Sequence, residues 1–253
     1  MARPCQHNQR TIIVHLLPMP CDYHQRMPLP AIDAGHPGLK PALDVGLQPR
    51  AAEQLLSFYD EPHRYYHNRA HIREMFDVAL QRELNLSAAQ VLAVLVHDAI
   101  YVPGALRGDN ETLSAQLMRV YAPHVATEVL DAAFAIVTDT TDHVPRHLQS
   151  AAVLDLDLMR LGAAPDDFER HSWQVFGEQR PLIALDDDRA AWHFFDDKRA
   201  QFFQTLMQRP AIYHLAPLRA AYERQCHINL GQTIAGAMRD RPPPPNYFRE
   251  SSA

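Results

Sequence analysis

Val91-Leu92-Ala93-Val94-Leu95-Val96-His97-Asp98-Ala99-Ile100-Tyr101 is an apolar run that ends in a histidine and an aspartate side by side. Pro103 and Gly104 follow, and both stop a helix. Ser87 stands where an N-cap belongs, so the run reads as one short buried helix. Burying an imidazole and a carboxylate at its end is costly unless they are paired or hold a metal. Neutral imidazole and carboxylate are usual ligands of divalent transition ions. The run therefore predicts a metal site at the end of a core helix.

Outward from this run the pattern is helical almost everywhere. Ile72, Met75, Phe76, Ala79 and Leu80 recur at helical spacing. His67 and His71, four apart, share one face of that helix. Further helices are predicted over 51–59, 109–121, 127–138, 148–161, 166–178, 186–208 and 217–238. No strand alternation, glycine-rich phosphate loop or internal repeat is present. The expected fold class is all-α, a helical bundle of the kind that builds metal sites between facing helices. Residues 1–40, rich in Pro and His, read as a disordered leader or as a translation start placed too early. Residues 41–240 read as the folded domain and 241–253 as a flexible Pro-rich tail.

The segment 148–161 is apolar almost all round, which predicts burial. Two carboxylates lie inside it, Asp155 and Asp157, and carboxylates are seldom buried without a partner. Two residues apart, they point to nearly opposite sides of a helix. Asp155 shares its face with Ala151, Ala152, Leu158 and Met159, which suits an inward carboxylate. Asp157 reads as a supporting residue, or as the partner of Arg160 at the rim.

The bulk numbers exclude several classes. A formal charge of −6 leaves no basic footprint, so nucleic acid is not expected as a partner. No run approaches the ~18 apolar residues of a membrane span. The apolar part of Thr11–Leu17 is short for a signal peptide and carries His15. Cys5, Cys21 and Cys226 form no Cys-x-x-Cys pair and are odd in number, which reads as reduced thiols in the cytoplasm. Homo-oligomerisation is left open.

Taken in order, Tyr66-His67-Asn68-x-x-His71, His97-Asp98 and a distant Asp resemble the H…HD…D pattern of the HD superfamily of metal-dependent phosphohydrolases. The closer resemblance is to its branch of predicted metal-dependent HD-superfamily phosphohydrolases. It is carried by Tyr59-x-Glu61-Pro62-His63-Arg64, His97-Asp98-Ala99-Ile100-Tyr101, Asn110-Glu111-x-x-Ser114-Ala115 and Leu154-Asp155-x-Asp157-Leu158-x-x-Leu161-Gly162. A fainter trace, Glu223 with Asn229-Leu230, follows. The likeness spans roughly 45 to 235 and implies a single-domain HD-type bundle.

The resemblance implies that His71, His97, Asp98 and Asp155 bind a divalent cation, with Mn, Mg, Zn, Ni, Co and Fe all open. It implies that His67 is the proton donor to the leaving oxygen. The expected activity is hydrolysis of a phosphate ester of a small molecule, nucleotides among the candidates, by metal-activated water. Catalysis is assigned to His67, Asp98 and Glu111. Glu111 either orients that water or is a first-turn acid favoured by the helix dipole. Arg64, Asn68, Asn110 and His143 are candidate substrate contacts. Lys198 and Arg199 read as a solvated face, and the aromatic residues around them as core or interface.

One segment departs from the pattern. An Ile-Arg-x-Glu-Tyr-like stretch is expected after the Asp motif, but the chain has Val175-Phe176-Gly177-Glu178-Gln179. The arginine and tyrosine are missing. The alternative is therefore a metal- and nucleotide-binding module that does not hydrolyse. A purely structural helical protein is the third reading.

Overall fold

The computed structural model describes residues 38–245 and 247–250. The described residues form helices and turns, with no strand among them. The order is α1 (Leu39–Asp44), α2 (Pro49–Ser57), α3 (Arg69–Gln81), α4 (Ala88–Val96), α5 (Asp109–Tyr121), α6 (Thr127–Asp139), α7 (Ser150–Asp157), α8 (Pro165–Gln179), α9 (Asp188–Met207), α10 (Ala216–Ile234) and α11 (Tyr247–Glu250). None is long and apolar enough to cross a membrane. Of the expected leader, residues 1–37, with Cys5 and Cys21, lie outside the described residues. Leu39 and Lys40 already belong to α1.

Helix α4 is the axis of the bundle. Ser87 Oγ accepts from Gln90 N, and Gln90 Oε1 accepts from Ser87 N, so the helix starts with a complete capping box. From Val91 to Val96 every side chain is buried. A helix apolar on all sides needs neighbours on all sides. α1, α2, α3, α5, α6 and α7 supply them. The helix ends at Val96, and His97 and Asp98 fall in the turn beyond it.

Helix α7 is shorter than predicted. It stops at Asp157, and a tight 3-10 turn, Leu158–Gly162, carries the chain on. Asn229 of α10 donates to the carbonyls of Leu161 and Ala163 at 2.9 Å and ties that turn down. Gly162 touches α10 so closely that a Cβ there would lie 2.6 Å from Tyr222 Cβ and 2.7 Å from its carbonyl oxygen.

A smaller apolar cluster of Phe176, Ala191, Trp192, Phe195 and Met238 joins α8 to α9 and the end of the chain. Of the expected flexible tail, 241–253, described residues make contacts with the body. Trp173 Nε1 donates to the Arg241 carbonyl at 2.9 Å, and the Phe248 ring stacks near Tyr65, with centroids 4.8 Å apart. A Cβ at Gly177 would come within 2.3 Å of the Phe248 ring. Apolar rings after the prolines fasten the segment to the body.

Gly162→Ala should lower stability by about 1–3 kcal/mol, because its methyl meets backbone that cannot yield. Gly231→Ala, in a helix interior with nothing within 4 Å of its added Cβ, should raise stability by about 0.5–1 kcal/mol. Urea denaturation of both variants checks the opposed signs.

Candidate metal centre

Four side chains converge at the end of α4. His71 comes from the first turn of α3, His97 and Asp98 from the turn after α4, and Asp157 from the last turn of α7. One ligand atom from each lies within 4.8 Å of the others, and the group could hold a metal ion. Asp157 Oδ1 is 3.2 Å from His71 Nε2 and 3.6 Å from His97 Nε2, while Asp98 Oδ2 is 3.1 Å from His97 Nε2. Both histidines are buried.

The donor set fits a divalent cation. His97 Nδ1 lies 3.1 Å from the Val94 carbonyl, which can only accept, so Nδ1 carries the hydrogen. Nε2 then offers its lone pair toward two carboxylates and has no hydrogen-bond partner of its own. A lone pair facing carboxylate oxygens is repulsive unless a cation or proton stands between them. Burial opposes protonation of His97, yet the charges of Asp98 and Asp157 outweigh it and hold its pKa well above the ordinary range. Burial pushes His71 down to about 4. Asp157 stays well below the usual carboxylate range despite burial, because His97, His143 and His71 surround it.

Asp155 is not in this cluster, which corrects the expected ligand set. Its carboxylate accepts from the backbone N–H groups of His214 and Leu215 at 2.7–2.8 Å and from His214 Nδ1 at 2.8 Å. It sits at the N-terminus of α10, where a negative charge is favoured. Because α7 is buried on every side, apolar neighbours surround both aspartates and do not mark the face that meets His71. Nor does Asp157 pair with Arg160. That arginine binds Glu74 at 2.8 Å and the Tyr66 carbonyl at 3.0 Å.

His67 stands beside the cluster, its Nε2 4.0 Å from Asp98 Oδ2. Glu178 holds it in place. One carboxylate oxygen accepts from the backbone N–H groups of Tyr66 and His67, at 2.6 and 2.9 Å. The other lies 2.6 Å from His67 Nδ1. The ring lies against Tyr101 with centroids 4.3 Å apart. Burial lowers the His67 pKa, but Glu178 and Asp98 outweigh it and raise it above the ordinary value.

The remaining candidates divide. His143 reaches Asp157 Oδ2 at 3.0 Å from a left-handed backbone, φ 53°, fixed where Arg209 donates to its carbonyl. Asn110 and Glu111 line the cavity, but the Asn110 amide is paired with the Val102 backbone through both its oxygen and its nitrogen. Asn68 is the N-cap of α3 and gives its amide hydrogen to the Tyr65 carbonyl. Arg64 is buried and bonds Glu61 and the carbonyls of His67, Asp98 and Ala99. Arg64 and Asn68 are therefore spent on the backbone and correct the expectation that they meet substrate.

Glu178 was missed, although a signal for it exists. It follows His171 by seven residues, two helical turns, and so shares the buried face of α8. The centre opens into a cavity of about 560 Å³ lined by His67, Asp98, Asp157, His143 and residues of α8 and α9. No protein-family model, curated protein or solved structure matches the chain.

Asp157→Asn should lower divalent-metal affinity about 10-fold or more, with the fold intact. Asp155→Asn should keep the metal and lose about 3 kcal/mol, since an amide cannot satisfy the same three N–H groups in a buried site. Elemental analysis of untagged protein, beside thermal melts, separates the two.

Proposed function

We propose that this chain is a metal-dependent phosphohydrolase of the HD type that cleaves a phosphate ester of a small molecule. One observation carries the reading. His67, held from behind by the buried Glu178, lines the same cavity as Asp98 and Asp157, the two carboxylates of the cluster completed by His71 and His97. The order of the motifs along the chain supports it independently.

His71, His97, Asp98 and Asp157 would hold the divalent cation, which when bound would supply Lewis acidity and a more acidic water. The protein does the rest by position. Glu178 takes the Nδ1 side of His67 and fixes the ring plane, so Nε2 is the nitrogen left to hold or release a proton. That nitrogen lies beside Asp98, where an ester oxygen would leave. His67 therefore acts as general acid and Glu178 as its positioning residue. His143 and Tyr101 narrow the space around the reacting group. Arg64 keeps the two halves of the site in register.

The test is a panel of phosphate esters offered with Mn, Mg, Zn, Ni, Co or Fe(II). His67→Gln should lower kcat about 10²–10⁴-fold on an alkyl ester, whose leaving oxygen needs a proton. The loss should be much smaller on p-nitrophenyl phosphate, which needs none. Glu178→Gln should lower kcat about 10-fold or more while metal content holds, because the tautomer and the ring orientation loosen. Absence of turnover with every metal, in folded and metal-loaded protein, would overturn the assignment. Tight ligand binding without product would leave the non-hydrolysing binding module.

A further inference from the structure

Arg64, Arg160 and Arg199 lie beside the site, the first two buried and the third half-buried, and they differ in what they touch. Arg64 and Arg160 are saturated by carboxylates and carbonyls. Arg199 of α9 is not. Among the described residues its side chain makes no hydrogen bond and no ion pair. It rests on rings instead, with Cζ 5.0 Å from the Phe168 centroid, 5.9 Å from Phe195 and 4.8 Å from Phe203. Burial lowers its pKa to about 10, with only partial relief from Tyr66 and Asp196 acting through space. Aromatic faces offset part of the cost of burying a cation. They accept none of the hydrogens in the guanidinium fork.

Arg199 lines the same cavity as the metal cluster. The cavity is polarised. Asp98, Asp157 and Glu111 lie on its acidic side, while Lys198 and Arg199 both project from α9. Two stripes at four-residue spacing build that wall, Phe194, Lys198 and Phe202 in one and Phe195, Arg199 and Phe203 in the other. Phe195 and Phe203 are buried beneath the guanidinium. Phe194 and Phe202 remain exposed, 47% and 41%, and line the opening.

We propose that Arg199 is the anion-recognition residue of this cavity and that its ligand is a phosphate ester of a flat aromatic molecule. The phosphoryl oxygens take the free guanidinium fork, and the ring stacks on Phe194 and Phe202. The inference rests on reading the cavity as a phosphoester site, and its ligand-binding test needs no turnover.

The probes are phenylphosphonate and methylphosphonate, whose carbon–phosphorus bonds resist hydrolysis, titrated calorimetrically into the full chain as purified. Wild type should bind phenylphosphonate about 10-fold more tightly than methylphosphonate. Arg199→Met should weaken both about 10- to 100-fold, with metal content and melting temperature unchanged. Phe202→Ala should weaken phenylphosphonate alone and erase the preference.

Affinities of Arg199→Met within twofold of wild type would overturn the anion role, as would no measurable phenylphosphonate binding by wild type. Equal wild-type affinity for the two probes would overturn the aromatic part. Should Arg199→Met fail to fold, phenylglyoxal labelling of wild type decides. Phenylphosphonate should protect Arg199, and an unprotected Arg199 would sink the proposal. Binding through Arg199 without hydrolysis of any ester would sink only the phosphohydrolase reading. Hydrolysis with unweakened binding in Arg199→Met would sink only this one.

Discussion

The guanidinium of Arg64 ties the site together. Its donors reach the carbonyls of His67, Asp98 and Ala99, at 3.2, 2.6 and 2.8 Å. Those carbonyls belong to two loops that helix geometry leaves unpaired, the approach to α3 and the turn after α4. A buried cation that satisfies buried carbonyls offsets its own desolvation and theirs together. His67 and His71 are thereby held against His97 and Asp98, although about thirty residues separate them. Asn68 completes the arrangement by capping α3, so that His71 enters the core in the first turn rather than at a frayed end.

This constraint sets the electrostatics. Asp98 and Asp157 converge on one imidazole, that of His97. Two carboxylates at such range repel unless positive charge stands between them. His97 answers part of that demand, and His71, pushed the other way by burial, does not. His143 adds a third imidazole on Asp157 from the far side. Its loop is held in turn by Asp139, which accepts from the N–H groups of Arg146 and His147 and from Ser150 Oγ.

The helices were legible because their faces are unequal or their ends are marked. Helix α5, whose first turn carries Asp109 and Glu111, runs from 109 to 121 as its pattern indicates, and the Ser87 capping box announces α4. Legibility failed where a segment is apolar on every side. In α7 nothing in the pattern tells one face from the other, so the choice between Asp155 and Asp157 fell on the wrong residue. Only tertiary contacts, the N-terminus of α10 on one side and His71 on the other, break that symmetry. Glu178 and Arg199 were hidden differently. Each is one charge in a helix with many, and a solvated charge and a buried one are spelled alike. The neighbouring residues carried the difference: Glu178 shares a helix face with His171, seven residues before it, and Arg199 has phenylalanine four residues to either side.

Two apolar cores meet beside the cavity. The large core around α4 positions His71, His97, Asp98 and Asp157. The small core of Phe176, Ala191, Trp192, Phe195 and Met238 positions the other side. Glu178 lies two residues beyond Phe176, and Arg199 one helical turn beyond Phe195. The α9 wall draws on both cores, since Phe195 belongs to the small one while Phe168 and Phe203, the rings nearest Arg199, belong to the large one. The docked segment after Met238 belongs to that same small core through the Trp192–Met238 hydrogen bond and the Phe248 ring against Gly177.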